Sequence, residues 1–405
     1  MYYEIQSEKQ KEQYKDMLNI MGQLSRLFSE AKEPYLHYRV HENIFSKYFD
    51  VINNARSDDS ADAYDLNNKI GIGLKTWVGK NDQKVAEFGK LRKTYSDLDD
   101  IEMVKKIAEY RNTRIRVTMK MHDLNNMLYH VVKRLPGLMQ IYESKFEYID
   151  IENIIVDNKR GNDNNIYFSD GINTYHFSKS KNTLYMIFDD MELLDEFSVN
   201  IFEDPYELLS SIIKMSEEEK KLDEKNKIDN IIKNVTDTKQ KLCLRLYSTK
   251  SNGEKYIPEK SGLNQWNGAR TNYKTDEDGN KVLYKTTPRN KNEMYIPYPA
   301  EDRKRGEFFP PRDTPFDLML PNGKWIKAKV CQADGKAIMS NPNELLGKWL
   351  LRDVLEIEEG KKITYEMLKV FGIDSVIFTK LGKEKYSIDF CELGTYEKFY
   401  KIEEE

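Results

Sequence analysis

Cysteine is scarce in this chain of 405 residues. Cys243, Cys331 and Cys391 are too few and too scattered for a disulfide framework or a zinc site. Histidine is nearly as rare. His37, His41, His122, His130 and His176 fall into no ligand spacing such as HExxH, so zinc-protease and HNH chemistry find no support. No GxSxG elbow or Cys–His pairing points to covalent hydrolysis. A glycine-rich phosphate loop is missing too: GIGLKTW carries two glycines but lacks the third and the strand–turn–helix setting of a dinucleotide site. No apolar run approaches the ~20 residues of a membrane span, and MYYEIQSEKQKEQYK has no signal-peptide core. These absences predict a soluble, cytoplasmic protein. Nor is there an excess of positive charge. The formal net charge is −4, so any surface for nucleic acid must be local.

What is present is core-forming material along both halves, with 26 Tyr and 17 Phe, enough for two or more folded domains. Residues Glu4 to Glu30 read as a helix through the spacing of Met17, Leu18, Ile20, Met21, Leu24, Leu27 and Phe28. His41 to Asn53 reads as a second, with Ile44, Phe45, Tyr48, Phe49 and Ile52 apolar. ADAYDL and KIGIGLKTW read as strands. Helices follow over Asp82 to Tyr95 and Leu98 to Tyr110, then RIRVTMKM as a strand and HDLNNMLYHVVKRL as a helix. From Lys145 to Phe188 the texture is mostly strand, and Tyr206 to Ile213 is helical. SEEEKKLDEKNK, Ser216 to Lys227, is dense in mixed charge and reads as an exposed helix or a linker. The domain boundary is placed just after it, giving domains at 1–236 and 237–405.

The informative stretch of the first half is SADAYDLNNKIGIGLKTW. Asn67-Asn68 suits a two-residue hairpin turn, since asparagine tolerates positive φ. Counting outward pairs Asp65 with Ile70, Tyr64 with Gly71, Asp62 with Gly73 and Ser60 with Lys75. Side chains alternate faces along a strand. Asp62 and Lys75 therefore stand diagonally adjacent on one surface, and Asp65 points the other way. Because the register is inferred, Asp58, Asp59 and Asp65 stay open as alternatives to Asp62. Farther along, Arg114, Arg116 and Lys120 give RIRVTMKM a basic face suited to phosphates or to solvent.

The second half interleaves basic, amide and aromatic residues with frequent turn signals between Ser261 and Asp353. Arginine forks suit guanine, amides suit adenine, and any basic residue can neutralise phosphate. PNG, Pro321 to Gly323, reads as a hairpin turn between FDLML and KWIKAKVC, and NPNELLGKWLLRDVL as a helix. Trp325, Trp349, Leu350 and Val354 are assigned to the core.

SGLNQWN, NEMYIPYP, FFPPRDTPFDLMLPNG, AKVCQADGKAIMSNPN and LGKWLLRDVL resemble the C-terminal recognition domain of the NgoFVII family of restriction endonucleases. That domain is a pseudobarrel related to the DNA-binding domain of plant B-three transcription factors. The resemblance spans roughly Leu242 to Phe390. It implies two arms that grip DNA, the first near Asn264, Gln265, Trp266, Asn267 and Arg270, the second near Asp334, Lys336, Ser340, Asn341 and Asn343. Arg289 and Arg312 suit phosphates. One departure is the insertion Thr271 to Thr287, whose DEDGNK centre reads as a hairpin turn. A second is the lack of HxK motifs, so a phospholipase-D-type nuclease, frequent in that family, is excluded here.

The N-terminal half resembles a PD-(D/E)xK nuclease with a displaced carboxylate. That class sets an aspartate for the metal and a lysine near the attacking water on one hairpin, here Asp62 and Lys75. The acid usually found two residues before the lysine is replaced by Gly73. Some members take it from the following helix, which points to Glu87, and Glu42 resembles a supporting acid on the N-terminal helix. The resemblance implies Mg²⁺ held by Asp62 and Glu87, with Lys75 orienting the water. The expected fold is α+β in two domains: a restriction-endonuclease-like α/β nuclease core with added strands, then a B-three-like β-pseudobarrel. The expected activity is that of a type II site-specific deoxyribonuclease on double-stranded DNA. A second copy of the chain and a cognate DNA methyltransferase are the other partners so implied. The competing expectation is a non-enzymatic, sequence-specific or modification-reading DNA-binding protein with an N-terminal interaction module.

Overall fold

The computed structural model describes residues 1–54, 59–79, 82–189, 191–211, 240–276 and 280–402. The chain divides into two compact units. The first comprises Met1–Arg56, Ser60–Arg111 and Asn125–Thr238; the second Ser57–Asp59, Asn112–Leu124 and Lys239–Glu405.

In the first unit, α1 (Glu8–Gln23) starts at a capping box in which Ser7 and Gln10 satisfy each other's backbone N–H groups. It buries Tyr14 and Leu18. α2 (Tyr38–Tyr48) buries His41, Glu42, Ile44, Phe45 and Ser46 along one stripe. A six-stranded sheet follows, formed by β1 (Ile52–Asn53), β2 (Ala63–Asp65), β3 (Ile70–Val78), β5 (Asn126–Leu135), β6 (Leu138–Lys145) and β11 (Glu192–Ser198), side by side in that order. Its pairs are antiparallel except β3 with β5, which are parallel. Parallel neighbours need a crossover, and α3 (Asp100–His122) provides it. The second sheet is antiparallel: β4 (Asp82–Glu87), β10 (Thr183–Ile187), β9 (Thr174–Ser178), β8 (Asn165–Ser169) and β7 (Ile155–Val156). Tyr14, Leu18, Phe45, Ile72, Leu74, Val132 and Ile141 belong to one core under the first sheet.

Three local expectations fail here, each because periodicity gave way to tertiary context. RIRVTMKM is not a strand but the second half of α3. Its buried positions continue the helical spacing Val104, Ile107, Ala108, Arg111, Ile115, Thr118 and His122. HDLNNMLYHVVKRL is not a helix; it supplies β5, whose Tyr129, His130, Val131 and Val132 are buried in succession, as a strand covered on both faces allows. Asp82 to Tyr95 is strand β4 followed by a 3-10 helix over Gly89–Thr94. Phe88 and Tyr95 are buried, Val85 is partly exposed, and Glu87 lies on a strand opposite Thr183. Helix does occur at 205–211. The charged stretch Ser216 to Lys227 and most of the proposed boundary lie outside the described residues.

The second unit is built on a seven-stranded sheet. Its order is β12 (Lys241–Arg245), β21 (Ser375–Gly382), β22 (Lys385–Cys391), β18 (Phe316–Met319), β19 (Trp325–Cys331), β20 (Ala337–Ser340) and β17 (Ile296–Pro297). Among the described residues the two end strands do not pair, so the sheet is not a closed barrel. Two separate two-stranded ribbons accompany it, β13 (Ser248–Thr249) with β14 (Lys255–Tyr256) and β15 (Ala269–Thr275) with β16 (Lys281–Pro288). The second ribbon is the insertion; the centre of its turn, 277–279, lies outside the described residues. PNG forms the expected turn, with Gly323 at φ 79° and its N–H donating to Leu320 O at 2.9 Å. NPNELLGKWLLRDVL is a short α-turn, Leu345–Gly347, running into a π-helix, Lys348–Val354. Trp349, Leu350 and Val354 are core residues, whereas Trp325 is 49% exposed at the start of β19.

Asp374 in this core is fully buried. Burial pushes its carboxyl up to about 6, against donation from the Gly394 N–H at 3.2 Å and the charge of Lys255. A folded-state value above the ordinary 3.8 means that the folded protein holds the proton more tightly, so burying the charge costs stability as pH rises from about 4, in full above pH 6. Asp374→Asn avoids that charge. Its stability relative to wild type should rise by up to about 3 kcal/mol from about pH 4 to pH 7.5, measured by urea unfolding.

Candidate active site and nucleic-acid interface

The hairpin has the inferred register: Asp65 opposes Ile70, Tyr64 opposes Gly71 and Ala63 opposes Ile72. Its turn differs from the two-residue form expected, for four residues, Leu66 to Lys69, make it and the positive φ falls on Lys69 rather than on either asparagine. The pairing extends outward, since the Asp62 N–H donates to Ile72 O at 2.8 Å. The Asp62 carboxylate turns back onto β3, where Oδ2 accepts the Leu74 N–H at 2.7 Å. Lys75 is the next residue and places Nζ 6.0 Å from the centre of the Tyr129 ring. Glu42 approaches from α2. It is buried, its carboxylate lies 3.2 Å from Arg39 Nη1, and its carboxyl is pushed up to about 6. Burial is the largest cause and the negative charge of Asp62 the next; Arg39 and Lys75 pull the other way. Glu42, Asp62 and Lys75 thus share one electrostatic neighbourhood.

A buried polar chain fixes α2 there. His41, beside Glu42, hydrogen-bonds to the Tyr14 hydroxyl at 2.9 Å, which also meets His130 of β5 at 3.0 Å. His130 in turn pairs with Glu143 at 3.0 Å, and Glu143 accepts the Tyr2 and Tyr3 N–H groups. A residue held by packing and hydrogen bonds on a helix presents its neighbour with little freedom.

The other acids are placed differently. Asp65 faces away and caps the turn, accepting from the Asn68 N–H at 2.9 Å, Asn68 Nδ2 at 2.7 Å and the Tyr2 hydroxyl at 3.2 Å. Asp59 belongs to the second unit and pairs with His122 Nε2 at 3.0 Å. Asp58 lies outside the described residues. Glu87 sits in the five-stranded sheet, more than half exposed, and pairs with Lys84 at 2.6 Å. Gly73 leaves no vacancy for a carboxylate. It pairs with Tyr129 across the sheet, and a Cβ there would lie 2.8 Å from that ring and 3.2 Å from Phe146. Tyr129 and Phe146 are stacked with centroids 4.1 Å apart, so the space is filled by aromatic rings. Among the described residues no group of three or more His, Cys, Asp or Glu could hold a metal ion. Arg116 and Lys120, on the face suited to phosphates or to solvent, both pair with Glu356.

In the second unit the candidate DNA residues separate into two sets. Asn264 is buried and serves the backbone: it donates to Pro258 O at 3.2 Å and Ile363 O at 2.9 Å and accepts the Ile363 N–H at 2.8 Å. Ser340 is likewise buried and accepts the Leu346 N–H at 3.0 Å. Neither can reach a base without losing these bonds. Trp266 is partly buried against the core, and Asn267 donates to Glu259 O at 3.0 Å. Asp334, Lys336 and Asn341 are exposed. Arg312 and Asp334 border an open cleft of about 400 Å³ with Tyr298, Arg303 and Phe309.

The second set converges on a residue the sequence reading passed over. Glu293 is fully buried, and its Oε2 accepts from Arg270 Nη2 and Asn343 Nδ2, each at 2.7 Å. Its Oε1 accepts from Arg289 and, at 2.6 Å, from the Tyr295 hydroxyl. Gln265, oriented so that both partners are satisfied, accepts from Arg289 Nε at 3.0 Å and Nη2 at 3.1 Å. Burial alone would raise the Glu293 carboxyl, yet Tyr295, Arg270 and Arg289 together hold it below the usual carboxylate value. Residues from both expected arms therefore meet at one anion. The signal was present in NEMYIPYP, where a lone acid lies among apolar residues that are now seen to be buried.

No curated protein matches the chain. Residues 231–382 match the model of the NgoFVII C-terminal B3-like DNA-binding domain, which supports DNA as a partner and marks this part of the chain as similar to a restriction-enzyme domain.

Proposed function

We propose that the chain is a type II restriction endonuclease, a Mg²⁺-dependent hydrolase of double-stranded DNA whose second unit recognises the sequence. The observation that carries the reading is the meeting of Glu42, Asp62 and Lys75 on and beside one hairpin, in a chain with a DNA-binding domain. The mixed sheet with its helical crossover and added strands supports the same reading.

The donor set suits Mg²⁺, a hard ion commonly held by one or two carboxylates. Asp62 and Glu42 would hold it, with Glu42 taking the part first given to Glu87. Burial first and the charge of Asp62 second raise the Glu42 carboxyl, and a dication would relieve the second. When bound, the ion would supply Lewis-acid polarisation of a phosphate and of water. Lys75 would orient the attacking water and offset negative charge that builds on the phosphate in the transition state. Arg39, paired with Glu42 and about half exposed, is placed to meet an incoming phosphate. A second copy of the chain and a cognate methyltransferase complete the proposed system.

One observation favours the competing reading of a DNA-binding protein without nuclease activity: aromatic rings fill the space at Gly73. Glu42→Gln tests the endonuclease reading. In the endonuclease it should raise the Mg²⁺ needed for half-maximal cleavage at least tenfold with DNA affinity within a few fold. Unchanged Mg²⁺ dependence would remove Glu42 from the site.

A further inference from the structure

Glu293 touches Arg270, Arg289, Tyr295 and Asn343; Arg270 and Asn343 were expected on the two arms that grip DNA and Arg289 at a phosphate, all for reasons independent of Glu293. Its carboxylate is fully buried, whereas Arg270 remains half exposed. A guanidinium is a planar fork with five donors. Glu293 engages Nη2 of Arg270 at 2.7 Å, which restrains that end of the fork, and half of the Arg270 side chain stays accessible to a partner. Arg289 is mostly buried and is held from two sides, by Glu293 and Gln265, so it braces the carboxylate rather than presenting itself.

We propose that Glu293 is a positioning residue that orients Arg270 to read a guanine, so that the recognition sequence contains a guanine whose discrimination depends on both residues. This rests on the reading of the second unit as the sequence-recognising domain. The chemistry selects guanine because its major-groove edge offers two acceptors, O6 and N7, which match a fixed guanidinium fork. A loose arginine pairs with any phosphate; a braced one is committed to one direction, and orientation is what separates base reading from backbone binding. Asn343, held on the same oxygen as Arg270, ties the second arm to the first. A change at Glu293 therefore acts on a base preference and not on charge alone.

The test uses the full chain with Ca²⁺ in place of Mg²⁺ and a pool of random-sequence duplex DNA. Selection of bound duplexes defines a consensus, and affinities are then measured on single-base variants of it. The expected consensus contains a guanine at which wild type discriminates by roughly tenfold or more. Arg270→Lys, which keeps the charge but loses the fork, should abolish that preference and preserve the others. Glu293→Gln should weaken the same preference several-fold, and thermal melting reports whether it remains folded. If Glu293→Gln is not folded, Arg270→Lys decides the matter. Either folded variant overturns the proposal if it retains the guanine preference, or if it weakens all sequences equally. A wild-type chain that selects no sequence at all defeats the underlying reading of the second unit instead.

Discussion

Lys75→Ala is expected to lower the rate of DNA cleavage by several orders of magnitude while DNA binding stays within a few fold. Lys75 follows Leu74, whose N–H anchors the Asp62 carboxylate, and the charges of Lys75 and Asp62 both act on Glu42. Removing it takes away a cation that offsets charge in the transition state, and such groups are worth about 3–4 kcal/mol or more in rate. The ground-state complex loses one contact among many. Single-turnover cleavage and a mobility shift on the same duplex separate the two effects. Equal losses in binding and cleavage would make Lys75 a phosphate contact. A variant that cuts at the wild-type rate would remove it from the chemistry.

The second large effect concerns the second unit. Its core cluster includes Val117 and Met121 of α3, both buried, together with Leu244, Leu318, Ile338, Trp349 and Phe378. A fragment of residues 237–405 lacks Asn112–Leu124, which carries the second half of α3, and leaves that part of the core open to water. Such a fragment should be poorly soluble or only partly folded, and extending it with the missing helix should restore cooperative unfolding. In the whole chain Met121→Ala should cost about 2–5 kcal/mol, the range for emptying a fully packed site. Circular dichroism melts of the fragment and the variant check both statements. A fragment that melts as cooperatively as the full chain would contradict them.

The register of the hairpin was legible in the sequence, because β-pairing follows by counting outward from the turn. Asp65 facing away from Asp62 followed from the same count. The turn itself was not legible, since the positive φ that asparagine was expected to supply lies at Lys69. The PNG turn was, because glycine at positive φ announces itself. Long-range pairing was not. RIRVTMKM alternates apolar and basic residues as an edge strand would, and only its attachment to the preceding helical stripe shows that it is helix. HDLNNMLYHVVKRL has enough apolar residues to fit either period, and its parallel partner β3 decides the matter. Glu87 failed as the expected helix-borne acid because β4 joins β10. Glu42 was seen as a supporting acid on the N-terminal helix, but that it neighbours Asp62 depends on how α2 meets the sheet, which no local pattern encodes. Glu293 shows the same limit: a single acid has no period, and its meaning appears only when four donors gather on it.

The central claim is that the DNA-binding domain serves a metal-dependent nuclease centred on Asp62. Plasmid and phage DNA are incubated with the wild-type chain and with Asp62→Asn, in Mg²⁺ and in EDTA. The account predicts discrete fragments from wild type in Mg²⁺ alone, and a mobility shift without fragments from the variant. Discrete fragments from Asp62→Asn, or a wild-type chain that binds DNA and never cuts it, would contradict the account.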